Sequence, residues 1–294
     1  MRYLYLFLWV GLLALLGMGC SEEQPTATSS TAPQPGSWRA TLAIAPGVEL
    51  PFTFSVSTAA GQPLLAIHNG ADTLLISEVM MTGDSLIIPM PVYHAEIRAL
   101  VTDSTMSGQF HNYYRGPDYT IPFHATHGLT YRFPPATAPT TSVAGRWEVW
   151  FGTDSTDLDQ AIGVFAQQDH EVTGTFLTPY GDYRYLAGQV SADSLWLSNF
   201  DGMHVMYFGA SLGDTLRGIY RSGHHFSEPW VAWRNDSVRL PDAFRMATAQ
   251  SPFTVQLPSG IQPVERGKPA IIQIMGTWCP NCKDEARLLE ALYQ

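Results

Sequence analysis

Three cysteines are the residues of this 294-residue chain best suited to covalent chemistry: Cys20, Cys279 and Cys282. The last two stand in the run Trp278-Cys279-Pro280-Asn281-Cys282. A cysteine pair at that spacing suits thiol–disulfide exchange, in which one thiolate attacks a disulfide and the second thiol resolves the mixed disulfide. A metal pair is the rival reading. A zinc site needs further ligands, and the sequence offers no second Cys-x-x-Cys. His124 and His127 have an H-x-x-H spacing and His224 and His225 are adjacent, but neither pair carries the glutamate of a helical zinc motif. No metal site and no cofactor is predicted.

The elements around the pair would position the sulfurs. Ala270-Ile271-Ile272-Gln273-Ile274-Met275 is a nearly continuous apolar run, which predicts a strand buried on both faces. Pro280 suits the first position of a helix. Beyond it, Cys282, Ala286, Leu289 and Tyr293 fall on one helical face, with Lys283, Asp284, Arg287 and Glu290 opposite. Cys279 would then sit at a helix N-terminus, where free N–H groups and the dipole favour a thiolate nucleophile. Cys282, one turn in, would be the resolving thiol of a Cys279–Cys282 redox disulfide.

This segment resembles the TlpA/ResA branch of thioredoxin-like thiol–disulfide oxidoreductases, through Phe253, Gly260, Lys268, the Trp278–Cys282 motif with its neighbours Trp278 and Pro280, and Glu285. The resemblance implies a cell-envelope disulfide reductase whose partners are disulfide-containing client proteins and an upstream thiol electron donor. It makes Glu285 a proton handler near the disulfide, against the alternative of a solvated helix carboxylate. The family's cis-proline loop and remaining strands have no counterpart in the sequence, so residues 251–294 are read as the front part of such a domain, from a truncated or fragmentary chain.

At the other end, Arg2 and the apolar run from Tyr3 to Met18 are too short for a membrane span and match the h-region of an export signal. Gly17-Met18-Gly19-Cys20, followed by Ser21-Glu22-Glu23, resembles a bacterial lipobox, although Gly17 stands where Leu is usual. The resemblance implies a signal peptide over 1–19 and lipidation at Cys20, anchoring the chain to a bacterial membrane facing the periplasm or the cell surface. Residues 20–35, rich in Ser, Thr and Pro, read as a flexible tether. The formal net charge of −10 argues against nucleic acid as a partner, because phosphate binding needs a basic footprint.

Most of the chain lies between these ends, and its pattern is β. Period-two alternation in Phe52-Thr53-Phe54-Ser55-Val56, and apolar residues at every second position of Ser85-Leu86-Ile87-Ile88-Pro89-Met90, between turn signals such as Asn69-Gly70, predict short antiparallel strands. The pattern repeats: Gly36-Ser37-Trp38 returns as Gly145-Arg146-Trp147, and Asp84-Ser85-Leu86 as Asp193-Ser194-Leu195, at one constant offset. Two copies of one β module are expected, 36–133 and 145–240, joined by a linker at 134–144. The opening Gly-x-Trp resembles the start of lipocalin-like barrels. The fold class expected is therefore mainly β, followed by an incomplete α/β domain. The rival to the redox function is a non-catalytic envelope binding lipoprotein whose β modules hold a peptide, lipid or glycan.

Overall fold

The computed structural model describes residues 32–134, 136–153, 158–240, 254–257, 260–263, 271, 273, 275–276 and 279–293. Cys20, Trp278, the export signal and most of the tether lie outside them. The first module contains β1 (Gly36–Ala45), β2 (Val48–Ala59), β3 (Gln62–Asn69), β4 (Asp72–Ile76), β5 (Met80–Thr82), β6 (Ser85–Pro89), β7 (Ala95–Val101), β8 (Thr105–Asn112) and β9 (Thr120–His127). The second contains β10 (Gly145–Phe151), β11 (Asp159–Gln168), β12 (Glu171–Thr178), β13 (Gly181–Asp182), β14 (Leu186–Ser191), β15 (Ser194–Phe200), β16 (Val205–Ser211), β17 (Leu216–Ser222) and β18 (Phe226–Arg234). Alternation builds these strands. In β1, Trp38, Ala40, Leu42 and Ile44 are buried on one face, as a sheet with one covered side requires.

The repeat is visible in its details. Trp38 donates Nε1–H to Gln34 O (2.9 Å) and Trp147 donates to Val143 O (2.8 Å), each to the carbonyl four residues earlier. A basic residue from each module's last long strand covers the indole: His127 at 5.1 Å and Arg234 at 4.6 Å. Gly108 and Gly218 recur in the eighth strand of each ring, pressed against the neighbouring backbone. A Cβ would lie 1.9 Å from Arg98 O at the first and 2.0 Å from Gly209 O at the second, so no larger residue fits.

The modules differ in closure. In the second, β11 pairs with β12, and β10, β11, β12, β14, β15, β16, β17 and β18 form a closed eight-stranded antiparallel barrel with β13 appended to β12. In the first, the order β4-β3-β2-β1-β9-β8-β7-β6-β5 leaves β4 and β5 as edges, a half-barrel. The reason lies on β3. There β4 takes the positions from Leu65 to Asn69, whereas β14 joins β12 along Glu171–Gly174 and completes the ring.

The half-barrel is filled from outside. Phe200, at the end of β15, sits in the first module's core, 4.5 Å from Phe52 and 5.0 Å from Phe110 between ring centroids. Asn69 holds its backbone, donating Nδ2–H to Phe200 O (2.8 Å) and accepting from Phe200 N (3.4 Å). Arg132, from the connecting segment, donates to Pro51 O, Ser198 O, Ser198 Oγ, His68 O and Asn69 Oδ1. Its guanidinium is embedded in protein with neutral oxygens as its partners, and burial pushes its pKa down to about 10, so it stays charged at neutral pH. The linker is not a free tether at its middle: Thr137 and Thr140 donate to Ser191 Oγ and Ala192 O of the second module.

A second polar knot follows Phe200. Buried Asp201 accepts from the backbone of Met203 and His204, from His204 Nδ1 (2.9 Å) and from Arg184 Nε (3.1 Å). Burial raises the carboxyl's pKa, but the hydrogen bond and charge of His204 and the charge of Arg184 outweigh it, leaving the pKa below the ordinary 3.8. A depressed carboxyl pKa adds stability that is full above the unfolded value and is lost as pH falls through the folded one. Asp201→Asn is therefore expected to melt several degrees below the parent at pH 7, with the gap shrinking as pH drops below 3.8. Thermal melts of both proteins from pH 2.5 to 7 check this; a gap independent of pH would refute it.

The C-terminal segment corrects the family expectation. Its described part holds β19 (Thr254–Leu257) and β20 (Gly260–Pro263), an antiparallel hairpin, and α1 (Pro280–Tyr293). Ile271, Gln273, Met275 and Gly276 belong to no strand, and Ile271 and Met275 are 72% and 48% exposed. No TlpA/ResA-type, thioredoxin-like α/β domain is evident. An apolar run becomes a doubly buried strand only when strands flank it and helices cover it, and the described residues of this segment form no such layers.

Candidate functional site

The cysteine pair is joined: Cys279 and Cys282 form a disulfide with Cα atoms 5.3 Å apart. Cys279 directly precedes α1, which starts at Pro280, and Cys282 lies within it. Cys282 N–H donates to Cys279 Sγ (3.2 Å), and Gln273 Nε2 donates to Cys282 O (3.2 Å) and to Glu285 Oε2 (3.0 Å). Glu285 is exposed. The helix face expected to be buried is not covered: Tyr293 is 93% exposed and Leu292 68%. The sulfurs are brought together by local helix geometry, and among the described residues no sheet strand leads into Cys279. Lys283 Nζ donates to Tyr114 OH of the first module (3.0 Å).

The barrel interior is protein. Phe151, Phe176, Phe208, Tyr220 and Trp230 fill it with ring centroids 4.6–6.4 Å apart. Phe165 and Tyr183 pack on the same cluster. Contacts of this length are ordinary aromatic packing, and these rings occupy the middle of the barrel.

The barrel's outer wall is more open. On β10, Trp147, Val149 and Phe151 point inward, so period two sends Glu148 and Trp150 outward. On β18, Trp230 and Ala232 point inward, and Pro229, Val231 and Trp233 outward. Trp150 is paired with Val231 across the ladder and Glu148 with Trp233, so the two outward indoles share one patch. Glu148 braces it, accepting from Trp150 Nε1 (3.3 Å) and from Asn235 Nδ2 (2.8 Å). A groove of about 740 Å³ runs here, walled by Trp150, Trp233, Pro229, Val231 and Leu158, with Arg217 and Thr153 as polar edges.

A second cavity of about 470 Å³ adjoins it at the barrel mouth. Trp150 and Leu158 line both; the inward-facing Phe151 and Ala161 also line the second, with Asp159, Gln160, Tyr180 and Tyr183 among its other walls. Tyr180 stands 92% exposed on the β12–β13 turn. Burial, then the nearby Tyr220, Glu228 and Asp159, raises the pKa of Tyr183 well above the usual phenol range. Its hydroxyl therefore stays protonated, and it makes no hydrogen bond to another described residue. The pair of cavities is an aromatic trough with hydroxyl, amide and guanidinium groups at its rim. The sequence carried one signal for it: a tryptophan at the outward parity of strands whose inward parity is already apolar.

Among the described residues, no group of three or more His, Cys, Asp or Glu side chains could hold a metal ion. No family model matches the chain, and no curated protein matches it. A protein of unknown function from the DUF3598 family of Nostoc punctiforme PCC 73102 is similar to it in structure, at 8% identity over 68% of this chain and 94% of that one, with a TM-score of 0.24. That likeness is too slight to carry a family or a function, and none of the comparisons points to a thioredoxin-like protein. The TlpA/ResA-type, thioredoxin-like identification of the C-terminal segment is therefore corrected.

Proposed function

We propose that the protein is a non-catalytic binding lipoprotein of the cell envelope, held by Cys20, whose second β module binds a neutral glycan chain along the Trp150–Trp233 trough. The observation that carries this is the pair of adjoining cavities sharing Trp150, a surface longer than one small ligand needs. Three ligand classes were open from sequence. Lipid loses its natural place because aromatic rings occupy the middle of the barrel. A peptide adding its main chain needs a free sheet edge, and β10, β17 and β18 are each paired on both sides. A sugar ring needs neither: its C–H faces lie against flat indoles, and its hydroxyls bond to rim groups such as Tyr183 OH, Gln160 and Arg217. Arg217 on one side and Asp159 on the other leave the trough without a field of one sign, which favours a neutral ligand.

The test is isothermal titration of the full chain with neutral oligosaccharides of glucose, xylose and N-acetylglucosamine. Trp150→Ala and Trp233→Ala are expected to weaken binding about tenfold or more each, since a lost aromatic contact removes roughly 1–3 kcal/mol. Saccharide binding that both variants leave intact would place the site elsewhere, and binding of none of these ligands would overturn the proposal.

A further inference from the structure

The seam between the modules holds a cavity of about 180 Å³ that the glycan reading does not use. Its lining includes Asn112, Arg115 and Tyr119 of the first module and His204, Ser222 and His225 of the second. At ~30 Å³ per water, it has room for roughly six waters, or for a group of four or five heavy atoms with some water retained.

The seam is built, not accidental. Tyr119 bridges it: its hydroxyl lies 3.0 Å from His225 Nδ1, and its ring stacks on His224 at 4.5 Å. Arg115 lies over the Tyr119 ring at 5.8 Å. Gly223, at φ +56°, makes room for the phenol, since a Cβ there would lie 2.3 Å from the Tyr119 oxygen. Burial, with the charges of Arg115 and His224, pulls the pKa of His225 down to about 4, so its imidazole is neutral at pH 7.

Two donors lack strong acceptors. Asn112 is 1% exposed, and its Nδ2 donates only to the thioether of Met203 (3.3 Å), a weak acceptor. A buried amide satisfied so poorly calls for an explanation. The Arg115 guanidinium makes no hydrogen bond or ion pair to another described residue. No carboxylate lines the cavity, and the buried one behind it, Asp201, is already engaged by His204 and Arg184. Acceptors are what this set lacks. Guanidinium and amide together match an oxyanion, with the guanidinium able to hold two oxygens at once.

We propose that the inter-module cavity binds a small oxyanion, a carboxylate or phosphate group, through Arg115 and Asn112. Bound there, the anion touches both modules and ties them together. The site does not depend on the glycan trough.

The experiment uses the full chain at constant ionic strength, titrated calorimetrically and melted with sodium phosphate, with sodium acetate and with sodium chloride as control. Phosphate, acetate or both are expected to bind and to raise the melting temperature where chloride does not; which of them binds identifies the chemistry. Arg115→Gln, a change at an exposed position, is expected to weaken that binding at least tenfold, and Trp150→Ala to leave it unchanged. The melt of Arg115→Gln in chloride reports on folding. An equal response to chloride, binding of neither oxyanion, or unaltered affinity in Arg115→Gln would each overturn the proposal.

Discussion

Replacing Arg132 by alanine is expected to destabilise the protein by about 3–5 kcal/mol, because it takes a charged donor away from five oxygens where the modules meet. The five oxygens it serves come from β2, β3 and β15 and so from both modules. Deleting it removes donors from the His68 carbonyl and Asn69 Oδ1 while leaving Ser198 Oγ to serve Pro51 O alone. A fall in melting temperature of roughly 10 °C follows at this size. The shape of the transition carries more information than its midpoint. Modules that share a core are expected to melt together, and Arg132→Ala is expected to split the calorimetric trace into two transitions. Arg132→Met separates the causes: it restores most of the volume and none of the donors. Recovery of the parent stability by methionine would show that packing, not hydrogen bonding, is what Arg132 contributes.

Phe200→Ala is the second large effect, again about 3–5 kcal/mol for a buried phenylalanine. Its location is unusual. The residue belongs to the closed barrel's chain, yet its ring packs on Phe52 and Phe110 of the half-barrel. The cavity left would therefore open in the first module. Hydrogen exchange is expected to show lost protection in β2 and β8, with β11, β16 and β17 of the closed barrel largely unchanged. Phe208→Ala, inside the barrel, is expected to show the reverse. Equal loss in both modules from either substitution would mean that the two cores unfold as one cooperative unit.

Both effects arise from one asymmetry. Two copies of a module with the same tryptophan anchor and the same crowded glycine end in different states of closure, because β4 occupies β3 in one copy and β14 closes onto β12 in the other. The open copy then depends on its neighbour for a core residue and for a buried cation's acceptors. This dependence also creates the seam in which Tyr119, Arg115 and His204 meet. A fully closed first barrel would have no place for Phe200 and no reason to hold the second module in one orientation.

The amino-acid sequence by itself determined the local periodicities. Alternation marked the strands, and the constant spacing of Gly36-Ser37-Trp38 and Gly145-Arg146-Trp147 marked the duplication, because strand parity and the indole anchor are set by residues close in the chain. The Cys279–Cys282 pairing was legible for the same reason: three residues of helix bring the sulfurs together. What lay beyond local order was not legible. Whether Ile271–Met275 becomes a strand depends on neighbours that must flank it, and the motif alone suggested a thioredoxin-like domain that the structure does not form. Closure of one module and not the other was decided by which strand pairs along β3 and along β12. The trough at Trp150 and Trp233 depended on a register between strands some eighty residues apart in sequence, and the seam cavity on side chains from two modules. Such sites are set by long-range pairing and packing, and these became visible only in the tertiary structure.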